Sequence, residues 1–100
     1  MLTQEAILLK LEENSDSIRR FGVQKIGLFG SFAKREAEPD SDIDFFVEFE
    51  EGKKTFDNYM DLKFFLEDLL DRHIDLVTRP ALKADLEATI TRSILYASGL

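Results

Sequence analysis

The sequence contains no cysteine. The chain therefore has neither a disulfide nor a thiolate metal site, which is compatible with a reducing environment, and we expect a cytoplasmic protein. No basic leader followed by an apolar stretch opens the sequence, and no apolar run approaches about 18 residues. The sequence thus predicts neither secretion by that route nor a membrane association.

Positive charge is also scarce, since 13 Lys and Arg stand against 20 Asp and Glu, for a net charge of −7. Duplex nucleic acids are bound mainly by Lys and Arg side chains that neutralise phosphates, so direct nucleic-acid binding is not expected. A small anion such as ATP is still compatible with this balance, because a bridging metal ion neutralises part of its charge. Clustered carboxylates can themselves bind hard cations.

Apolar residues, in contrast, are plentiful. The chain has 100 residues, of which 44% are hydrophobic, and nine are phenylalanine. This composition excludes intrinsic disorder and suffices for one modest core. We therefore expect a single domain over residues 1–100.

Helical and strand periodicities alternate along the chain. The predicted helices are 3–20, 31–37, 56–70 and 81–97, and the predicted strands are 23–29, 42–49 and 73–78. This order predicts an α/β (α+β) fold, with a small mixed three-stranded sheet flanked by about four helices. The first two strands are joined by about a dozen residues, so their relative direction is left open.

Gly30-Ser31 lies where the first strand turns into the short second helix. A helix start presents backbone N–H groups that favour an anion, and a glycine without Cβ lets a phosphate approach the backbone. The pattern of a Walker A loop is absent. Gly-Ser alone is typical of an ordinary strand-to-helix turn.

Asp42 and Asp44 alternate on one face of the second strand. Two adjacent carboxylates repel each other unless a cation lies between them, and Mg²⁺ prefers such ligands. The alternative is an ordinary strand with a solvated outer face.

Asp75 lies within the apolar run 74–77 of the third strand, where a charge is costly unless it is paired or metal-bound. Three strand carboxylates fit two Mg²⁺ ions about 3.5–4 Å apart. The alternatives are an edge-strand Asp that faces water, or a partner for Arg72 or Arg79. For His73, the single histidine, a surface or helix-terminus role is expected rather than catalysis.

Gly30-Ser31, ten further residues and then Asp42-Ile43-Asp44 resemble the signature of the DNA polymerase β-type nucleotidyltransferase superfamily. Within it, the length and the run 28–47 resemble the minimal nucleotidyltransferases, the MntA-like antitoxins, and this resemblance covers nearly the whole chain. It implies Mg²⁺ held by Asp42, Asp44 and Asp75, and ATP phosphates bound at Gly30 and Ser31.

The resemblance also implies a partner and a reaction. Such proteins are paired with a HEPN-domain toxin, which they neutralise by transferring AMP from ATP to a toxin tyrosine. Asp75 would assist deprotonation of the acceptor hydroxyl. This chain departs from the family at Arg35, where a glycine is usual. A binding-only antitoxin and a nucleotidyltransferase for a small molecule, such as an aminoglycoside, are the alternatives, and oligomerisation is left open.

Overall fold

A four-stranded mixed sheet organises the fold in the computed structural model, which describes residues 2–78 and 94–99. The strands are β1 Val23–Phe29, β2 Ile43–Phe49, β3 Ile74–Thr78 and β4 Leu95–Tyr96, in the spatial order β3-β2-β1-β4. β1 is antiparallel to both β2 and β4, whereas β2 and β3 are parallel. The direction that the sequence left open between the first two strands is therefore antiparallel.

Four helices accompany the sheet in the described part of the chain: α1 Gln4–Glu13, α2 Ser15–Arg19, α3 Gly30–Ala33 and α4 Phe56–Leu70. The side chain of Thr3 caps α1 by accepting from the backbone N–H of Ala6, and Thr55 caps α4 in the same way. None of these helices is long and apolar enough to cross a membrane.

One face of the sheet forms the core. Ile43, Phe45 and Val47 of β2 point to this face and are fully buried. The apolar stripes of α1 and α4 pack against them within one cluster. Burial of each such side chain contributes about 1.5–3 kcal/mol, so this face is strongly specified and the register of β2 is fixed. The opposite face carries Asp44 at the beginning of β2, with Asp42 just before the strand, and the buried Phe46 further along.

The predicted helix over residues 3–20 is wrong in its middle, because the structure has two helices there. Asn14 separates them with φ −113° and ψ 19°, outside the helical region. Its side-chain amide donates to the Lys10 carbonyl at 2.8 Å. Asn competes with regular helical bonding in this way, which explains the break.

The predicted sheet of three strands is wrong by one strand. Leu95 and Tyr96, expected within a helix over 81–97, pair with Leu28 and Gly27 of β1. Gly27 permits this pairing because a Cβ there would lie 2.3 Å from Cγ2 of Ile94. Residues 81–93 of that predicted helix lie outside the described residues.

The short helix α3 ends at Ala33, four residues before the predicted end. Arg35 adopts the left-handed conformation with φ 60°. The N–H of Glu36 donates to the Ser31 carbonyl at 2.8 Å, and the N–H of Arg35 donates to the Phe32 carbonyl at 3.3 Å. These are the two bonds of a Schellman motif, in which the residue that follows the C-cap is usually glycine.

Candidate functional site

Four polar side chains share one face at the start of the two parallel strands. The strand register pairs Asp44 with Asp75. One position earlier on that face, Asp42 and His73 adjoin each other, with the N–H of Ile43 donating to the His73 carbonyl at 3.1 Å. Because side chains alternate along a strand, Asp42, Asp44, His73 and Asp75 form a two-by-two array.

Asp44 is the most perturbed acid in this array. Its pKa is raised to about 6, first by partial burial, then by the negative charge of Asp75, a hydrogen bond with Asp75, and the charge of Asp42. Neighbouring carboxylates repel each other in their charged forms, and a cation between them removes this repulsion. The array therefore has the electrostatics of a divalent-cation site.

Gly30 brings the strand-to-helix turn into direct contact with these carboxylates. The last residue of β1, Phe29, pairs with Asp44, and Gly30 follows it with φ 75°. A Cβ on Gly30 would lie 2.2 Å from Oδ2 of Asp44. Glycine is thus required twice here, for the backbone conformation and for the close approach of Asp44. Ser31 comes next, half-buried in the first turn of α3.

The loop after this turn is anchored to α1. The side-chain amide of Gln4 donates to the Ala33 carbonyl at 2.7 Å, and Arg35 forms an exposed ion pair with Glu5. Together with the Schellman bonds, these contacts hold the loop in the conformation that a glycine at position 35 would adopt. Arg35 is thus held in a left-handed conformation that glycine adopts more readily.

Asp75 was expected to lie in a buried stretch, where its charge would be costly. This prediction is wrong, because the side chain is exposed. Ile74 and Leu76 supply the apolar character of the run and face the core, whereas Asp75 points to the other face. Arg72 does not serve as its partner, since it donates to the Ser41 carbonyl at 2.9 Å. Arg79 lies outside the described residues.

His73 is the member of the array for which the sequence predicted a surface or helix-terminus role. The residue is indeed exposed, but its Nδ1 lies 3.4 Å from Oδ2 of Asp42. Ligand atoms of Asp42, His73 and Asp75 all lie within 4.8 Å of one another. The sequence carried part of this signal, because His73 precedes Asp75 by two residues and so shares its face of the strand, but it did not show that Asp42 is the neighbour.

Asp42, His73 and Asp75 together offer two oxygen donors and one nitrogen donor, a set that fits a divalent metal ion. Asp44 is not within this set but lies opposite Asp75 on the neighbouring strand. The turn at Gly30 and Ser31, with its free approach to the backbone, lies directly beside them. An anion and a cation can consequently be held next to each other, which is the arrangement that a metal-bridged phosphate needs.

The nucleotidyltransferase domain family matches residues 10–97 of this chain. The chain belongs to this family. It is 40% identical over 97 residues to the protein adenylyltransferase MntA of Thermococcus cleftensis, covering 96% of this chain and 97% of that protein. A relative from Methanocaldococcus jannaschii, assigned as a protein adenylyltransferase, is 39% identical over 79 residues. The match covers 77% of this chain and 79% of that protein.

Solved structures agree with this assignment. A protein assigned as a minimal nucleotidyltransferase superposes with a TM-score of 0.82 at 33% identity, over 94% of this chain and 95% of that one. A chain from a complex of a tri-AMPylated Shewanella oneidensis HEPN toxin with its MNT antitoxin has the same fold. The TM-score is 0.64 at 23% identity, and the match covers 94% of this chain and 73% of that one. The predicted fold class and the resemblance to the minimal nucleotidyltransferases are confirmed, and the chain is a nucleotidyltransferase.

Proposed function

We propose that this nucleotidyltransferase is a protein adenylyltransferase, which transfers AMP from ATP to a partner toxin and thereby acts as its antitoxin. The observation that carries the proposal is the convergence of Asp42, Asp44 and Asp75 beside the turn at Gly30 and Ser31. The 40% identity to a protein adenylyltransferase over almost the full length of both chains supports this choice of reaction.

Asp42, Asp44 and Asp75 would hold the metal, for which we propose Mg²⁺, with two ions as three carboxylates and a triphosphate allow. The donor set and the raised pKa of Asp44 support a cation at this position. When bound, the metal supplies positive charge that aligns the triphosphate and offsets the charge that develops during transfer. The protein contributes rigid placement, since all three side chains lie on or directly beside paired strands.

Gly30 and Ser31 would bind the triphosphate of ATP. The first backbone N–H groups of a helix have no acceptor within it, and the Ser31 hydroxyl adds a further donor. Because α3 has only 4 residues, we attribute the binding to these individual donors and not to a helix macrodipole.

Asp75 is our candidate for accepting the proton of the acceptor hydroxyl, because its exposed side chain can meet a group from another protein. The hydroxyl oxygen bonds to the α-phosphorus of ATP, and the bond from that phosphorus to the departing pyrophosphate breaks. The acceptor proton passes to the carboxylate. Asp44 is half-buried on β2, and its role in the proposal is to bind the metal and thereby to position the triphosphate.

The partner that we propose is a HEPN-domain toxin, with a tyrosine hydroxyl as the acceptor. The resemblance of the motif to MntA-like antitoxins supports this partner. So does the shared fold with a chain from the complex of an AMPylated HEPN toxin with an MNT antitoxin. The net charge of −7 favours a protein acceptor over a nucleic acid.

The test uses ATP labelled at either its α- or its γ-phosphate, with Mg²⁺ and the HEPN-domain partner. We expect the α-label alone to remain on the denatured partner, and the Asp42→Asn/Asp44→Asn variant to transfer none. Undiminished neutralisation of the toxin by that variant would instead establish a binding-only antitoxin. Labelling of a small acceptor such as an aminoglycoside without any protein acceptor would establish the third alternative.

A further inference from the structure

His73 lies within the carboxylate array, yet the proposed transfer assigns it no role. Its Nδ1 is 3.4 Å from Oδ2 of Asp42, and the two side chains are 59% and 50% exposed. Both are therefore accessible to an ion from solvent. A surface contact of this kind contributes little to stability, so stability alone does not account for the arrangement.

The backbone, and not a chance rotamer, brings the imidazole to this position. The N–H of Ile43 donates to the carbonyl of His73 at 3.1 Å, and Ile43 pairs with Ile74 as the next step of the ladder. The Cα atoms of Asp42 and His73 are thus held side by side at the beginning of two parallel strands. Their side chains leave the sheet on the same face as those of Asp44 and Asp75.

The spacing of the donor atoms suits one shared ion. Donors that bind the same metal at about 2.0–2.2 Å lie about 3–3.5 Å apart when they are adjacent ligands. The separation of 3.4 Å between Nδ1 of His73 and Oδ2 of Asp42 falls within this range. A carboxylate oxygen of Asp75 completes a set whose members lie within 4.8 Å of one another.

We propose that His73 is a metal ligand of this site, so that the ion beside Asp42 and Asp75 is coordinated by an imidazole nitrogen as well as by carboxylate oxygens. The inference rests on the metal site proposed above and adds a specificity to it. Carboxylates alone suit Mg²⁺, whereas an imidazole favours first-row transition ions. This chain should accordingly bind Mn²⁺ more tightly than an all-carboxylate site would.

The single histidine makes a direct test possible. We would add Mn²⁺ to the untagged full chain and record electron spin-echo envelope modulation, which detects ¹⁴N nuclei bonded to the ion. In a chain with one imidazole, the coupling from a coordinated ring nitrogen can arise only at His73. We expect this coupling in the wild-type protein and its loss in His73→Gln.

Calorimetric titration gives the second measurement. His73→Gln should weaken Mn²⁺ binding roughly tenfold and leave Mg²⁺ binding within about twofold, because only the transition ion gains from the nitrogen. Asp71→Asn is the matched control. It changes a nearby exposed acid, and Asn tolerates the left-handed conformation of that residue, with φ 51°. It should change neither affinity, and the thermal unfolding of both variants verifies that they are folded.

The outcomes separate this inference from the metal site on which it rests. Mn²⁺ bound without nitrogen coupling, and with equal affinity in His73→Gln, overturns the role of His73 and leaves the carboxylate site intact. Failure of the wild-type chain to bind Mn²⁺ at all contradicts both. Coupling that disappears in His73→Gln, together with a selective loss of Mn²⁺ affinity, establishes His73 as a ligand.

Discussion

Close contacts between single residues decide the geometry of the candidate site. Asp44 adjoins Gly30 on one side and Asp75 on the other, and partial burial and the negative charge of Asp75 both raise its pKa. The positions of these acids could be predicted from the sequence, because alternation along a strand is a local property. The contact between His73 and Asp42 could not be predicted from the sequence, because it depends on which two strands are neighbours and in what register they pair.

Gly30→Ala should reduce AMP transfer roughly a hundredfold, because the new Cβ displaces the carboxylate of Asp44 and catalysis is sensitive to such displacements. The left-handed backbone adds a stability cost of about 1 kcal/mol. Transfer rates and chemical unfolding measure the two effects separately.

Gly52→Ala is the control, since Gly52 has a similar φ of 78° and nothing within 4 Å of the added Cβ. It should show the stability cost with normal transfer. Equal transfer by both variants would contradict the role assigned to the contact between Gly30 and Asp44.

Arg35→Gly should be more stable than Arg35→Ala by about 1 kcal/mol, because only glycine relieves the left-handed conformation at φ 60°. Both variants lose the exposed ion pair with Glu5, so the comparison cancels that contribution. Urea unfolding of the two proteins gives the difference. If alanine proves as stable as glycine, Arg35 does not end α3 in the manner described.

Asp44→Asn should stabilise the metal-free protein at neutral pH. The native pKa of Asp44 is raised from 3.8 to about 6, so the native state binds more protons than the unfolded state between these values. The free energy of unfolding of the wild type therefore falls as pH rises through this interval, and the variant lacks this loss.

The stability advantage of Asp44→Asn should be largest above pH 6 and disappear below about pH 3.8. Thermal unfolding across this range measures it, with Asp61→Asn on the exposed face of α4 as the control. An advantage that grows towards acidic pH would show that Asp44 is not held among like charges.

At the level of elements, the sequence predicts best where a pattern is long. β1 and α4 have the bounds that the sequence predicts, and β2 begins one residue later. β4 was not predicted, because a strand of 2 residues carries no periodicity and Ile94, directly before it, continues the four-residue spacing from which a helix over 81–97 was predicted. The end of α3 at Ala33 was not predicted, because its Schellman motif has arginine at the position where glycine is usual.

The pairing of β4 with β1 depends on the absence of a side chain at Gly27. Gly27→Ala should destabilise the fold by about 1–3 kcal/mol through overpacking against Ile94. The double variant Gly27→Ala/Ile94→Ala should be destabilised by at least about 1 kcal/mol less than the sum of the two single variants, because truncation of Ile94 removes the clash. Urea unfolding of the four proteins completes the cycle. If the two free-energy changes are strictly additive, Gly27 and Ile94 do not touch. That result would contradict the pairing of β4 with β1.

At the scale of the whole molecule, strand order explains why residues far apart in sequence form one site. β2 lies between β1 and β3, so the turn that ends β1 and Asp75 of β3 both adjoin Asp44. The family pattern named Gly30, Ser31, Asp42, Asp44 and Asp75 as candidates from the sequence, and the structure places them near one another. The reason that they meet is the combination of one antiparallel and one parallel neighbour around a central strand.

The central claim is that these carboxylates constitute one centre for transferring AMP to a partner protein. Its most direct test is the intact mass of the HEPN-domain partner after coexpression with this chain. We expect an added mass of one or more adenylyl groups with the wild type and with the control Asp61→Asn, and none with Asp42→Asn, Asp44→Asn or Asp75→Asn. An unmodified partner with the wild type, or a fully modified one with any of these three variants, would contradict the account.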